Sequence, residues 1–295
     1  MADRNLMPAE AVVSIDLGAT RLRTAVFGAG GVLLSRASRS TPPASPAALT
    51  EAAHEAVAAA AAAGRTVMGV AVGIAGPVHH ATRSAPQLPN LPGWAGGVSA
   101  TDLERSLALP VLIANDADLA ALGEHRFGAG AGVTDMVYVT CSTGVGAGII
   151  LGGRLLRGEW SLAEIGRTLI DWRTGDTVED LGSGTALARL AGAAGQDVEA
   201  RARAGDREAI AQFRRVADAF AVGVLNLVYC FMPQRVVIGG GMAASRSLLL
   251  DPVRDRISQG GPSCPIGPAD VVLAQRDDDA GLFGGYALWL DRPSA

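Results

Sequence analysis

Val111-Leu112-Ile113-Ala114-Asn115-Asp116-Ala117-Asp118-Leu119-Ala120-Ala121-Leu122-Gly123-Glu124 opens with four apolar residues, two of them β-branched, behind Pro110. That is the pattern of a short, fully buried strand. From Asn115 onward the residues are mostly Ala, Leu and Asp, which suit a helix opened by a polar cap. Asn115 and Asp116 therefore stand at the carboxyl end of a buried strand, where open α/β sheets bind their ligands. Two readings are open for the pair. Asn and Asp are preferred helix caps, and an acid in the first turn favours the helix dipole, so neither needs a functional role. The rest of the chain decides whether they have one.

Upstream, Ala11-Val12-Val13-Ser14-Ile15-Asp16 predicts a strand and Leu17-Gly18-Ala19-Thr20 a tight turn. Arg21 to Phe27 then alternates long polar with apolar residues, the period of a half-buried strand. Gly30-Gly31 predicts a hairpin, and Val32 to Ser38 a third strand. At the first turn, a glycine admits backbone N–H groups to a phosphate, and a carboxylate at the strand end can hold Mg²⁺. An ordinary hairpin turn also favours Asp and Gly. Ala47 to Ala63 predicts a helix, and Val67 to Gly73 a strand leading into Ile74-Ala75-Gly76-Pro77. Ala85 to Trp94 is a proline-rich loop carrying Asn90, either a connector or a binding lip. Trp94 reads as a loop anchor ahead of a stacking platform. Ser99 to Leu107 predicts the helix before the Asn115 strand.

Downstream the same grammar restarts. Asp135 to Thr140 predicts a strand, Ser142-Thr143-Gly144-Val145-Gly146-Ala147-Gly148 a Gly-rich turn, Ile149 to Leu151 a second strand, and Gly152-Gly153 a hairpin. The two halves read as copies of one design, each with a phosphate-sized turn. The Gly-rich run is no dinucleotide fingerprint, because a strand and not a helix follows it. Gly182 to Ala194 and Arg207 to Met232 predict helices, and Arg235 to Ile238 a strand running into Gly239-Gly240-Gly241, where backbone can lie close to a flat ligand. Val271 to Leu273 predicts a last strand and Gly281 to Leu290 a closing helix. Met136, Met232 and Met242 read as core filler.

With 295 residues, 49% of them hydrophobic and 18% charged, the chain is long enough for one large domain or two ordinary ones. A net charge of −4 argues against a nucleic-acid footprint. Cys141, Cys230 and Cys264 are far apart, which argues against a disulfide framework and suits a reducing cytosol. Residues 1–10 lack the apolar core of a signal peptide, and no charge-free apolar run reaches the ~18 residues of a membrane span. The expectation is a cytoplasmic protein. His54, His79 and His80 have no acidic or Cys partner at ligand spacing and read as ordinary surface or turn residues.

Taken together, these stretches resemble the ROK family of sugar kinases and repressors, within the actin-like ATPase fold, over nearly the whole chain. Asp16-Leu17-Gly18-Ala19-Thr20 is similar to the first phosphate motif and Ser142-Thr143-Gly144-Val145-Gly146 to the second. Gly239-Gly240-Gly241 is similar to the adenosine-side turn, Asn115-Asp116 to the sugar-and-base pair, and Ala163-Glu164-Ile165-Gly166 to the start of the sugar motif. The resemblance implies an α/β, two-lobed, ribonuclease H-like fold with duplicated mixed sheets and a cleft. It implies a first lobe over 1–117, completed by a helix at 280–295, and a second over 118–279. It implies Asp116 as general base, with sugar held by Asn115, Glu164, Glu179, Asn90, Gly76 and Arg167. ATP would lie on Asp16, Gly18, Thr20, Arg21, Thr143, Gly144, Gly146, Gly240 and Gly241, with Mg²⁺ on Asp16, directly or through water. A homodimer is also implied.

Two departures bear on substrate. Arg167 stands where the family commonly has His, and the segment from Thr168 to Glu179 has no Cys where a zinc loop is expected. Three thiolates and an imidazole are therefore missing, and no structural zinc is expected. Arg donates only and is always charged, so Arg167 can pair with Glu164 or Glu179, or grip an acidic or acetylated sugar. The reading is an ATP-dependent hexose kinase of glucokinase type. The alternatives are a kinase for fructose, allose or N-acetylmannosamine, and a non-catalytic sugar sensor. Residues 1–10 are too few for the DNA-binding domain of the family's repressors. Polyphosphate stays open as a donor.

Overall fold

The computed structural model describes residues 6–43, 45–94, 96–161 and 163–292. Residues 1–5 of the N-terminal stretch read at 1–10, and the last three residues of the helix expected at 280–295, lie outside them. In chain order the elements begin β1 (Glu10–Leu17), β2 (Arg21–Phe27), β3 (Leu33–Ser40), α1 (Ala47–Ala62), β4 (Thr66–Ile74), β5 (Ser84–Ala85) and β6 (Val98–Ser99). Then come α2 (Ala100–Leu107), β7 (Val111–Asn115) and α3 (Asp116–Phe127). The second half holds β8 (Met136–Cys141), β9 (Val145–Leu151), β10 (Arg154–Leu155), β11 (Leu169–Asp171) and β12 (Asp176–Thr177). It continues with α4 (Val178–Gly182), α5 (Gly184–Ala191), α6 (Gly195–Arg203), α7 (Arg207–Phe231), β13 (Arg235–Gly239), α8 (Ser247–Gln259) and β14 (Val271–Leu273). The helix α9 (Ala280–Leu290) closes the chain.

Packing divides the chain into two units. The first takes the chain to Arg126, a segment beginning at Arg157, and everything from Asp279 on. Its sheet runs β3-β2-β1-β4-β7, antiparallel from β3 to β1 and parallel from β1 to β7. α1 lies on this sheet through Ala48, Leu49, Ala52, Ala53, Ala56 and Ala60, all buried at helical spacing. Side chains that small let the helix axis approach the strands closely. The unit ends at Arg126 and not at residue 117, because α3 is sealed into it by α9. Gly123 of α3 sits against the Ala280 carbonyl, and Gly284 of α9 against the Leu119 carbonyl.

The second unit holds Phe127–Leu156 and Ala163–Asp278. Its sheet runs β10-β9-β8-β13-β14, with β8 antiparallel to β9, β9 antiparallel to β10, and β8, β13 and β14 parallel. Strand order and direction repeat those of the first unit, so the two halves share one topology. α7 supplies much of its core through Phe213, Val216, Phe220 and Val224.

Three local expectations change. The turn after β8 is only Ser142–Gly144. The strand β9 starts at Val145, and Gly146 and Gly148 pair with Thr140 and Tyr138. Burial of Val145, Ala147 and Ile149 on the intervening positions outweighs the weak strand preference of glycine. The helix expected over 182–194 breaks at Ser183, whose extended backbone and side chain cap α5 through the Ala186 N–H at 3.1 Å. Met232 is not core filler: it is exposed and ends α7 in the left-handed region at φ 47°, whereas Met136 and Met242 are buried. Trp94 is an anchor, buried and donating its indole N–H to the Pro42 carbonyl at 2.8 Å.

Candidate active site

In the first unit the parallel register sets Leu17 beside Ile74 and Ile74 beside Asn115. The carboxyl ends of β1, β4 and β7 thus finish on one edge, bringing Asp16, Gly18, Gly76, Asn115 and Asp116 to the same end of one sheet. The structure assigns the helix cap to Asn115. Its Oδ1 accepts the Ala117 N–H at 2.9 Å and the Asp118 N–H at 3.3 Å, and its Nδ2 donates to the Gly76 carbonyl at 3.1 Å. Asp116 is the first residue of α3, half-buried, with Oδ1 accepting the Ala117 N–H at 2.9 Å. Both side chains thus accept the Ala117 N–H, and Asn115 reaches on to Asp118 and Gly76 as well.

Asp16 is buried at the end of β1, directly across from Arg23 on β2. Arg23 donates to its Oδ2 at 2.9 Å. The sequence reading passed over Arg23, although the antiparallel register of a hairpin turning at Gly18 to Thr20 places position 23 opposite 16. The Gly18 N–H bonds the Arg21 carbonyl at 3.0 Å, and the Thr41 hydroxyl bonds the Gly18 carbonyl at 2.7 Å. Gly18 thus closes the turn, and Ala19, Thr20 and Arg21 form its exposed outer edge. Gly76 lies against the proline loop, where a Cβ would stand 3.1 Å from the Gln87 carbonyl. Asn90 is exposed in that loop.

A strap from the second half docks here: the Ser161 N–H bonds the Val78 carbonyl at 2.8 Å and the His80 N–H the Glu159 carbonyl at 2.9 Å. His79 holds the strap as well, Nε2 to Glu159 Oε1 at 3.2 Å, while its Nδ1 accepts the Thr82 N–H at 3.2 Å. Burial, with Arg157 and His79 nearby, holds the His80 imidazole below its ordinary range.

In the second unit the Ser142–Gly144 turn is clamped from α5. The Gly184 N–H bonds the Ser142 carbonyl at 2.7 Å, and the Thr185 hydroxyl bonds the Thr143 carbonyl at 2.7 Å. Neither α5 residue was expected there. Gly240 stands at φ 87°, and a Cβ on it would collide with the Cys141 carbonyl, so glycine is required where β13 passes the end of β8. Gly241 has open space where a side chain would be. Gly146 is held in the β9 ladder, outside the turn. Cys141 beneath is fully buried, and desolvation, with the Glu199 charge adding to it, pushes its thiol far above the ordinary range, so it is no nucleophile.

Glu164 and Arg167 are exposed on their turn, while Ile165 and Gly166 between them are buried. Arg167 Nε lies 3.5 Å from Glu164 Oε2, so Arg167 pairs with Glu164 and not with Glu179. Glu179, on the first turn of α4, accepts the Val145 N–H at 2.8 Å. The Cys-free segment closes on itself. β11 and β12 pair Leu169 with Thr177 and Asp171 with Asp176, and Thr177 and Asp180 form a reciprocal cap on α4. The Thr177 hydroxyl holds the exposed Asp180 carboxyl below the usual range. Among the described residues no three His, Cys, Asp or Glu side chains are grouped to hold a metal.

A model of the ROK family matches residues 12–292. The chain is similar to a glucokinase of Streptomyces coelicolor, 30% identical, with 94% of this chain and 96% of that one covered. It is similar to an N-acetylmannosamine kinase of Shigella flexneri, 32% identical, covering 94% and 97% of the two chains. Among solved structures, a ROK glucokinase from Streptomyces griseus in complex with glucose and AMPPNP matches with a TM-score of 0.80 at 31% identity, over 94% of this chain and 98% of that one.

Proposed function

Because the chain belongs to the ROK family, we propose that it transfers the terminal phosphoryl group of ATP to a hydroxyl of a hexose. Glucose is the first candidate and N-acetylmannosamine the second, after the similar enzymes. The observation that carries this reading is the division of labour at β7. Asn115 caps α3 through the Ala117 and Asp118 N–H groups, while Asp116, which also accepts the Ala117 N–H, presents a carboxylate at the end of the same strand. Phosphoryl transfer asks the protein for positioning, charge neutralisation and an acceptor for the hydroxyl proton, and for little else.

In this mechanism Asp116 accepts the proton of the attacking sugar hydroxyl. Asn115 spends one amide hydrogen on the Gly76 carbonyl, and its Nδ2 carries a second that can reach a neighbouring hydroxyl. Glu164 and Glu179 accept from other hydroxyls, Asn90 and Gly76 border the sugar, and Arg167 restrains Glu164. The outer edge of the Gly18–Arg21 turn and the Thr143-Gly144 turn face the phosphates, and Gly240 and Gly241 the nucleoside. Asp16 fits Mg²⁺: it is a hard oxygen donor at a strand end, and Mg²⁺ commonly takes one or two carboxylates with phosphate oxygens and water. When bound, the ion neutralises phosphate charge. Arg23 orients the carboxylate that would hold it.

A coupled ADP-release assay with ATP and glucose, mannose, fructose, allose or N-acetylmannosamine tests the reading, and direct assay of the sugar phosphate tests polyphosphate as a second donor. Turnover of one hexose well above the others is expected, and no turnover of any of them sinks the proposal. We further propose a cytoplasmic homodimer, which light scattering of the purified chain checks for its dimer part. No helix among the described residues is long and apolar enough to cross a membrane.

Metal content gives a separate expectation. The segment between Glu164 and Glu179 offers no thiolate and no imidazole, and its hairpin is closed by backbone pairs. Purified protein should carry no stoichiometric zinc by elemental analysis, and EDTA should leave its melting temperature in place. Zinc bound at one ion per chain overturns this.

A further inference from the structure

Glu179 holds a place that a sugar ligand alone does not require. Its Oε2 accepts the Val145 N–H at 2.8 Å, at the point where the Ser142–Gly144 turn passes into β9. The same oxygen lies so close to Gly144 that any Cβ there would collide with it. On its other side a Cβ at Gly166 would stand 3.3 Å from Oε2 and would collide with the Val145 carbonyl. The carboxylate is thus seated between two glycines, one in the candidate phosphate turn and one in the turn that carries Glu164 and Arg167. A side chain at 144 would push the Glu179 carboxylate out of this seat, whether or not a phosphate also comes near. The second oxygen, Oε1, is farther off, 3.7 Å from the position of that Cβ. The α4 end that carries Glu179 is fixed by its own cap, the Thr177 hydroxyl accepting the Asp180 N–H at 3.1 Å.

From this geometry we propose that Glu179 is a positioning residue for the nucleotide-phosphate turn, acting through the Val145 N–H. Oε2 holds the turn, and Oε1 is the oxygen presented to a sugar hydroxyl. The inference rests on the kinase reading above and adds a role for Glu179 on the nucleotide side. The backbone N–H of Val145 donates to a side-chain oxygen of Glu179, and losing that acceptor frees the turn it orders.

The experiment measures the dissociation constant of AMPPNP with Mg²⁺ on the full-length chain by calorimetry, for wild type, Glu179→Ala, Glu179→Gln and Glu179→Asp, without sugar. Gln keeps an oxygen at the length needed to accept the Val145 N–H, and Asp keeps the charge but is one methylene short. Glu179→Ala and Glu179→Asp should each weaken the analogue about ten-fold, the loss expected for one such hydrogen bond. Glu179→Gln should stay within about two-fold of wild type while raising the sugar KM, because the amide cannot replace the charge facing the sugar. Rescue by Gln and failure by Asp is a pattern that a mere loss of stability does not produce. If Ala does not fold, the Asp and Gln pair decides alone. Unchanged analogue affinity in folded Glu179→Asp, or equal weakening in Gln and Asp, overturns the inference. A wild-type chain that does not bind AMPPNP overturns the kinase reading, and this inference with it.

Discussion

Asp116→Asn is expected to stay folded, to bind its sugar, and to turn over at least ~100-fold more slowly. The expectation separates the two roles that a polar residue at a helix start can have. A helix cap is worth about 1 kcal/mol, and here Asn115 provides it through two backbone N–H groups. Asp116 also accepts the Ala117 N–H, a bond that the side-chain oxygen of Asn can accept as well. The substitution therefore leaves the start of α3 intact and the melting temperature in place. It removes the capacity to take a proton, and a positioned base is worth 10²- to 10⁴-fold, or about 3–5 kcal/mol. The converse variant, Asn115→Ala, loses both caps and the tie to Gly76, and is expected to melt earlier. A folded Asp116→Asn enzyme with near-normal kcat would end the mechanism.

The second large effect is on stability. Gly284→Ala is expected to cost about 3 kcal/mol or more, the upper end of what overpacking does, because what the new methyl meets is backbone. A Cβ at Gly284 overlaps the Leu119 carbonyl of α3, and one at Gly123 overlaps the Ala280 carbonyl of α9. Two helices crossing at that distance have no side chain to move aside. The same helix carries Trp289, 1% exposed, whose ring fills the space above Gly69, and Gly285, which rests on Ser14 of β1. Lifting α9 therefore opens the core beneath β1 and β4 as well. Gly281→Ala, one turn earlier, makes the contrast. Its nearest neighbour would be Asp16 Cγ at 3.5 Å, an ordinary contact, so replacing glycine in the helix should be neutral or stabilise by up to about 1 kcal/mol. Urea midpoints of the two variants measure the difference. A Gly284→Ala protein as stable as wild type would show that α9 does not seat on α3 in this way.

Much of the fold was legible in the chain. Period-two alternation marked β2, continuous apolar runs marked β1, β4, β7, β8 and β13, and glycine pairs marked the hairpins at 30–31 and 152–153. The restart of the pattern after residue 132 foretold two sheets, and both have the same strand order. The misses share a cause. The length of the 142–148 turn, the break at Ser183 and the exposure of Met232 were settled by what lay across from them, and local propensity is a weak guide there.

The candidate site divides in the same way. The identity and order of Asp16, Asn115, Asp116, Glu164 and Glu179, and the absence of Cys and His between the last two, are properties of the sequence alone, because chemistry follows from residue type and a strand end follows from pattern. Which of Asn115 and Asp116 caps α3, that Arg23 pairs with Asp16, that Arg167 takes Glu164 for its partner, and that Gly144 is small on account of Glu179 were decided by tertiary structure. Each of these depends on a distance of 2.8 to 3.5 Å, in one case between residues far apart in the chain, Glu179 and Val145. Hydrogen bonds and ion pairs act only over such distances, and strand register and helix crossings set them.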